Sequence, residues 1–247
     1  MAKIPQEILR ELAPSGRLRA AINFGNPVLA QKDTATGEPA GVSAALAREL
    51  ARRLGVAVEF VTFTAAGAVV EALKAEAWDI CFLAIDPLRA AGIDFTAPYV
   101  MIEGTYVVPS SSELRRIEDV DRDGVRIVVE QASAYDLFLT RALKHASLVR
   151  NQSGGRAVEI FLQDRLEALA GVKQPLVAFA QAHPDMRVIP GRFMVINQAM
   201  GTPKGHAAGA RYLRSFVEEM KSSGFVAREL ARSGQDASAA APPAASA

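Results

Sequence analysis

The sequence predicts an α/β fold in which one chain builds two α/β units. Three observations carry that prediction. Apolar strand-like segments alternate with helix-like ones from Leu18 onward, the alternation starts again near Val125, and a last helix follows a strand as if the chain returned to the first unit. A βαβαβ order implies a parallel sheet with right-handed crossovers, and two extended crossings between the units complete the pattern. With 247 residues, half of them hydrophobic, the chain can bury one large core or two modest ones.

The elements follow in order. Leu18 to Phe24 is a short apolar strand, and Lys32 to Glu38 is polar and turn-rich. Ser43 is positioned to cap a helix with Leu46, Leu50 and Leu54 on one face, ended by Gly55. Val56 to Phe63 alternates as a strand, a helix follows with Val69, Val70 and Leu73 turned inward, and Asp79 to Ile85 is a buried strand. Val100 to Val108 is extended. In the second round Val125 to Val129 is a strand, and Ser133 opens a helix to about Lys144. Ser147 to Arg150 is extended, Ala157 to Asp164 helical, Leu166 to Val172 a strand and Gln174 to Ala182 a helix. Met186 to Ile189 and Met194 to Met200 are extended. Thr202 with Pro203 then reads as the start of a helix whose apolar face is Ala210, Leu213, Phe216, Val217 and Met220. Residues 233–247 are mostly Ala, Ser and Pro with no large apolar side chain, and are expected to be a disordered tail.

Composition narrows the function. The 28 basic residues nearly cancel 27 acidic ones and are scattered, which argues against nucleic acid or an anionic membrane surface as partner. The single cysteine, Cys81, lies in an apolar strand and reads as core. The histidines, His145, His183 and His206, are far apart, so neither a metal nor another cofactor is expected. Met1 to Ser15 lacks the basic start and long apolar stretch of a signal peptide. Either a leader was removed or the protein stays in the cytoplasm.

Four stretches resemble the bacterial extracellular solute-binding proteins of family 3, the receptors of polar amino-acid ABC transporters. Gly16-Arg17-Leu18-Arg19 with Phe24 to Pro27 resembles the first strand and ligand loop. Gly41-Val42-Ser43 leading to Leu54-Gly55 resembles the following helix, with Ser43 where Asp is usual. Trp78-Asp79-Ile80, Asp86-Pro87-Leu88-Arg89 and Asp94-Phe95-Thr96-Ala97-Pro98-Tyr99 form the most specific match. Arg211 to Met220 with Gly224-Phe225 resembles the closing helix. The resemblance implies a type II periplasmic binding protein fold, two α/β lobes on a two-stranded hinge. Lobe 1 would be 1–103 and 197–232, lobe 2 104–196, and 233–247 the tail. It implies binding without chemistry, a monomer working with ABC transporter membrane subunits, and a periplasmic location. Two alternatives stand beside it: an enzyme like cyclohexadienyl dehydratase, with Glu130, Glu103 or Asp136 as general acid, and a cytoplasmic ligand-sensing module.

The same resemblance gives Arg89 the ligand's α-carboxylate, which a guanidinium grips with two parallel hydrogen bonds. The plainer reading of Arg89 is a surface arginine or an ion pair within its lobe. Asp86-Pro87 reads as the helix start beside it. Ser133 is a second-lobe contact or a plain helix cap, with Gln131 just before it. Phe24, Phe82, Ala84 and Asn26 complete the candidate ligand residues, Phe24 and Phe82 as apolar walls or simple core. The family's usual ammonium-binding acid is absent: Val172 or Lys173 stands in its place. Either Asp136, Glu103, Asn26 or backbone carbonyls hold an amine, or the ligand is an organic acid whose second anionic group meets Lys173. A solvated helix-start lysine is the plainer reading of Lys173. The absent acid predicts weak binding of the standard polar amino acids.

Overall fold

A computed structural model describes residues 4–152 and 156–244. The chain divides into two compact units, Met1–Met101 with Asn197–Ala247, and Ile102–Ile196. It passes between them twice, within the strands β6 (Ile93–Pro109) and β11 (Met194–Pro203).

Unit 1 opens with helix α1 (Gln6–Leu12) and strand β1 (Arg17–Asn23). A small hairpin of β2 (Gln31–Lys32) and β3 (Pro39–Ala40) occupies the polar stretch. Helix α2 (Val42–Leu54), strand β4 (Ala57–Phe63), helix α3 (Ala66–Glu71) and strand β5 (Ile80–Ala84) follow. The sheet order is β4-β1-β5-β11, with β1 parallel to β4 and β5, and β11 antiparallel to β5. Helix α7 (Ala207–Ser222) buries Ala210, Leu213, Phe216, Val217 and Met220, and α8 (Phe225–Arg232) follows it. Helix α1 packs against α7 so closely that a Cβ on Gly209 would lie 2.8 Å from a methyl of Leu12. A larger residue there would have to displace the buried Leu12 side chain. The same backbone amide donates to Glu11 Oε2 at 2.6 Å. Trp78, fully buried, donates its indole N–H to Val69 O.

Unit 2 contains β7 (Arg126–Glu130), α4 (Ala134–Ala142), β8 (Ser147–Asn151), α5 (Ala157–Gln163), β9 (Ala168–Val172), α6 (Lys173–Ala182) and β10 (Met186–Val188). Its strand order is β6-β9-β7-β8, with β10 paired to β6. Strands β8 and β9 are parallel to β7, and β6 is antiparallel to β9. Side-chain alternation divides the core between the two sheet faces. Tyr106, Ile127, Val129 and Leu139 pack on one. Val107, Val128, Phe161, Leu169 and Leu176 pack on the other, under α5 and α6.

Several local expectations change. The cap of α2 is Gly41, not Ser43. The backbone there has φ 91°, and a Cβ would sit 2.7 Å from Leu29 O, so the turn demands glycine. Ser43 lies inside the helix and shares a buried hydrogen bond of 2.9 Å with the Tyr99 hydroxyl. Thr202 is not a cap either: it continues β11 and donates to Asp79 O, and α7 starts at Ala207. The segment expected as a disordered tail has defined contacts from 233 to 244. Ala240 bridges Val100, Ala241 donates its backbone N–H to Tyr99 O, and Ala244 donates to Glu218. Strand-edge hydrogen bonds use backbone groups, so small side chains do not preclude them. Residues 245–247 lie outside the described residues.

Candidate functional site

In unit 1 the residues singled out from the sequence gather at the carboxyl ends of β1 and β5, the place where parallel α/β sheets bind ligands. Every residue of β5 is buried, and it pairs with β1 through Ala20–Ile80 and Ala21–Cys81. Continuing that register sets Phe24 level with Ala84. Asp86 accepts from the Leu88 amide through Oδ1 at 2.9 Å, and from the Ala90 amide through its carbonyl. This turn delivers Arg89 onto a single 3-10 turn, Arg89–Ala91, in place of the expected helix start.

Arg89 is 4% exposed, so it is not the surface arginine of the plainer reading. Its Nη1 donates to Ala84 O at 3.0 Å. Burial pulls its pKa below the usual arginine range, while the charge of Asp86 opposes that pull. A cation held so deeply is costly unless an anion meets it. The Cys81 thiol, fully buried behind it, is held protonated by desolvation and reads as core.

The proposed walls have definite surroundings. Phe82 is buried, edge-on to Tyr99 with ring centroids 6.0 Å apart. Phe24 is half-buried, with Lys32 Nζ 5.5 Å from its centroid. Asn26 is half-buried and accepts from the Val28 amide. Ile85 and Leu88, which sequence reasoning did not single out, are exposed apolar side chains beside Arg89. For Ile85 the signal was the apolar run continuing one residue past the end of β5, whereas Leu88 follows the polar break at Asp86.

In unit 2 the turn after β7 carries Gln131, Ala132 and Ser133. Ser133 caps α4: its Oγ accepts from the Asp136 amide at 3.0 Å. Ala132 has φ 58°, an unusual conformation for a residue with a Cβ, and its amide donates to Asp136 Oδ2 at 2.8 Å. Asp136 also accepts from Arg150 Nε at 2.9 Å, so this carboxylate serves the turn and β8. Gln131 is exposed, its amide bonded to Asn151 O.

Lys173 starts α6 and pairs with Glu103 at 2.6 Å. Arg192 meets the other oxygen of Glu103, also at 2.6 Å. The hydrogen bond from Lys173, then that from Arg192, holds the Glu103 carboxyl below the usual range. Glu103 and Lys173 are therefore committed to each other within unit 2, a pairing that the sequence separation of seventy residues hides. Burial alone pushes the Glu130 carboxyl up to about 7. Among the described residues, no group of three His, Cys, Asp or Glu could hold a metal ion, and no helix is long and apolar enough to cross a membrane.

Comparisons with known proteins agree with the fold. The holo arginine-binding protein ArgBP from T. maritima matches with a TM-score of 0.72 at 23% identity, over 85% of this chain and 93% of that one. The cysteine-binding protein from Campylobacter jejuni matches at 0.77 and 22%, over 91% and 92%. An ancestral amino-acid-binding protein, AncCDT-1, a precursor of cyclohexadienyl dehydratase, matches at 0.76 and 22%, over 91% and 97%. Such distant likenesses show a shared two-lobed type II binding-protein fold. A comparison with curated proteins found no match. The model of one family covers residues 18–232, and the chain belongs to that family, the bacterial extracellular solute-binding proteins, family 3.

Proposed function

We propose that this protein is the solute-binding receptor of an ABC transporter, working outside the cytoplasm, and that it captures a small carboxylate-bearing ligand. The observation that carries the reading is Arg89: a buried guanidinium at the carboxyl end of β5, in a chain of this family. A planar fork matches a carboxylate with two charge-assisted hydrogen bonds. In unit 2, the partial positive charge at the N-terminus of α4, which Ser133 caps, also suits an anion. Phe24, Asn26, Phe82 and Ala84 form the surroundings on the Arg89 side. Replacing Arg89 by Ala should abolish binding, a loss of at least a hundredfold, because a buried charge pair broken on one side costs roughly 3–5 kcal/mol. Arg89→Lys should weaken binding too, since an ammonium lacks the fork. Isothermal titration with amino acids and organic acids reads both; wild-type affinity in folded Arg89→Ala protein would refute the assignment.

A second reading has one observation in its favour. A glutamate raised to about 7 is suited to donate a proton near neutral pH, and Glu130 is such a group. On that reading the chain would dehydrate a cyclohexadienyl acid with Glu130 as general acid. Turnover of such an acid, lost in Glu130→Gln, separates it from the receptor.

A further inference from the structure

Among the described residues, unit 2 holds two buried acceptor atoms without a donor. Glu130 Oε1 and Gln174 Oε1 are each closed off from water, and neither has a hydrogen-bond partner among the described residues. Buried polar atoms are nearly always paired, so two in one place ask for a donor. The topology sets both at the same end of the unit 2 sheet. Glu130 ends β7, and Gln174 is the second residue of α6, which begins where β9 ends. Strands β7 and β9 are paired in parallel through Ile127–Ala168 and Val128–Leu169. Alternation sets Glu130 on the face of Val128, and that face packs against Leu176 of α6. Both acceptors therefore belong to the α6 side of the sheet at its carboxyl end.

The charged groups on the surrounding elements have other partners. Lys173 and Arg192 pair with Glu103, Arg150 on β8 pairs with Asp136, and Arg156 before α5 pairs with Glu159. Tyr135 on α4 is the near titratable neighbour of Glu130, and burial keeps its hydroxyl protonated. None of these supplies a cation to the two oxygens.

We propose that Glu130 and Gln174 form the subsite for the ligand's protonated amine, in place of the acid missing at Val172-Lys173. An ammonium brings three N–H donors and one positive charge, which would satisfy both oxygens and neutralise the carboxylate. The ligand class becomes the amino acid rather than the unaminated acid. The proposal rests on the carboxylate-receptor reading only for what holds the ligand's other end.

The test is titration calorimetry of the full chain with the protein amino acids, each beside the same acid lacking its 2-amino group, and with methylammonium. Wild type should bind at least one amino acid tenfold or more tightly than its unaminated partner. Glu130→Gln should shrink that ratio below threefold and leave the unaminated acid unchanged. Gln174→Met should shrink it in part, and both variants should melt at or above the wild-type temperature. A ratio that survives Glu130→Gln, or a wild type that prefers the unaminated acids, overturns the proposal while leaving the receptor reading in place. Should Arg89→Ala bind both members of a pair as wild type does, the receptor reading fails and the ratio still judges the amine subsite. If no acid binds, methylammonium decides: Glu130-dependent shifts in the amide spectrum of unit 2 sustain the proposal, and their absence ends it.

Discussion

Burial raises the Glu130 carboxyl to about 7, against about 4.5 for an unhindered glutamate, and so makes it a proton-binding group of the folded state. The sign follows directly. The folded protein holds this proton more tightly than the unfolded chain, so the associated stability is complete below about pH 4.5 and is lost as pH rises through 7. The loss is at most about 3 kcal/mol, at 1.36 kcal/mol per pH unit. Glu130→Gln carries no such proton. It should match wild type at pH 4.5 and exceed it at pH 8, read as the difference in urea midpoints. A constant difference across that range would mean that water reaches the carboxylate freely. The lowered groups act elsewhere: Glu49, held at about 2 by Arg52 and Arg53, sheds its stabilisation only in strong acid. With an ammonium bound, the ionised form of Glu130 is the favoured one, so the affinity for an aminated ligand should rise with pH toward 8.

Helix α4 shows at the element scale what a sequence discloses. Ser133 was legible as a cap because a Ser followed three residues later by Asp, ahead of an apolar periodicity, is a local signature. Ser133→Ala should cost about 1 kcal/mol by losing that hydrogen bond, while Ser133→Thr should keep most of it. Equal denaturation midpoints for wild type and the alanine variant would make the cap redundant. Ser43 and Thr202 carried the same kind of local signal and led elsewhere, because their partners, Tyr99 and Asp79, come from distant strands. The alternating pattern of strands and helices was legible for the same reason as Ser133: periodicity is local. The site divides along this line. Arg89 stood out because Asp86-Pro87 and the flanking residues lie within one short stretch. The Glu103–Lys173–Arg192 ion pairs and the two orphan oxygens bring together positions far apart in sequence, and no spacing encodes them.

Unit 1, at the scale of the whole molecule, is assembled from both ends of the chain. The segment after α8 is part of it: Ala240 and Ala241 lie along the strand at Tyr99 and Val100, and Ala241 is buried. Ending the chain after Arg232 should lower stability by about 1–2 kcal/mol, the worth of two or so backbone hydrogen bonds and a small apolar patch. An unchanged melting temperature in the shortened chain would show that these contacts are not maintained in solution. Helix α1 adds to the same dependence, because it closes on Gly209 of α7, contributed by the last fifth of the sequence. Unit 2, in contrast, is one uninterrupted stretch, Ile102–Ile196. Its parallel strands and both layers of its core are complete before β11 and α7 exist. On the ribosome the hundred or so residues made first must therefore wait, with Leu12 and β5 lacking their partners, while the middle of the chain acquires its native packing. A translocating or nascent chain would expose the β5 edge for longest, and that is where a chaperone has most reason to hold it.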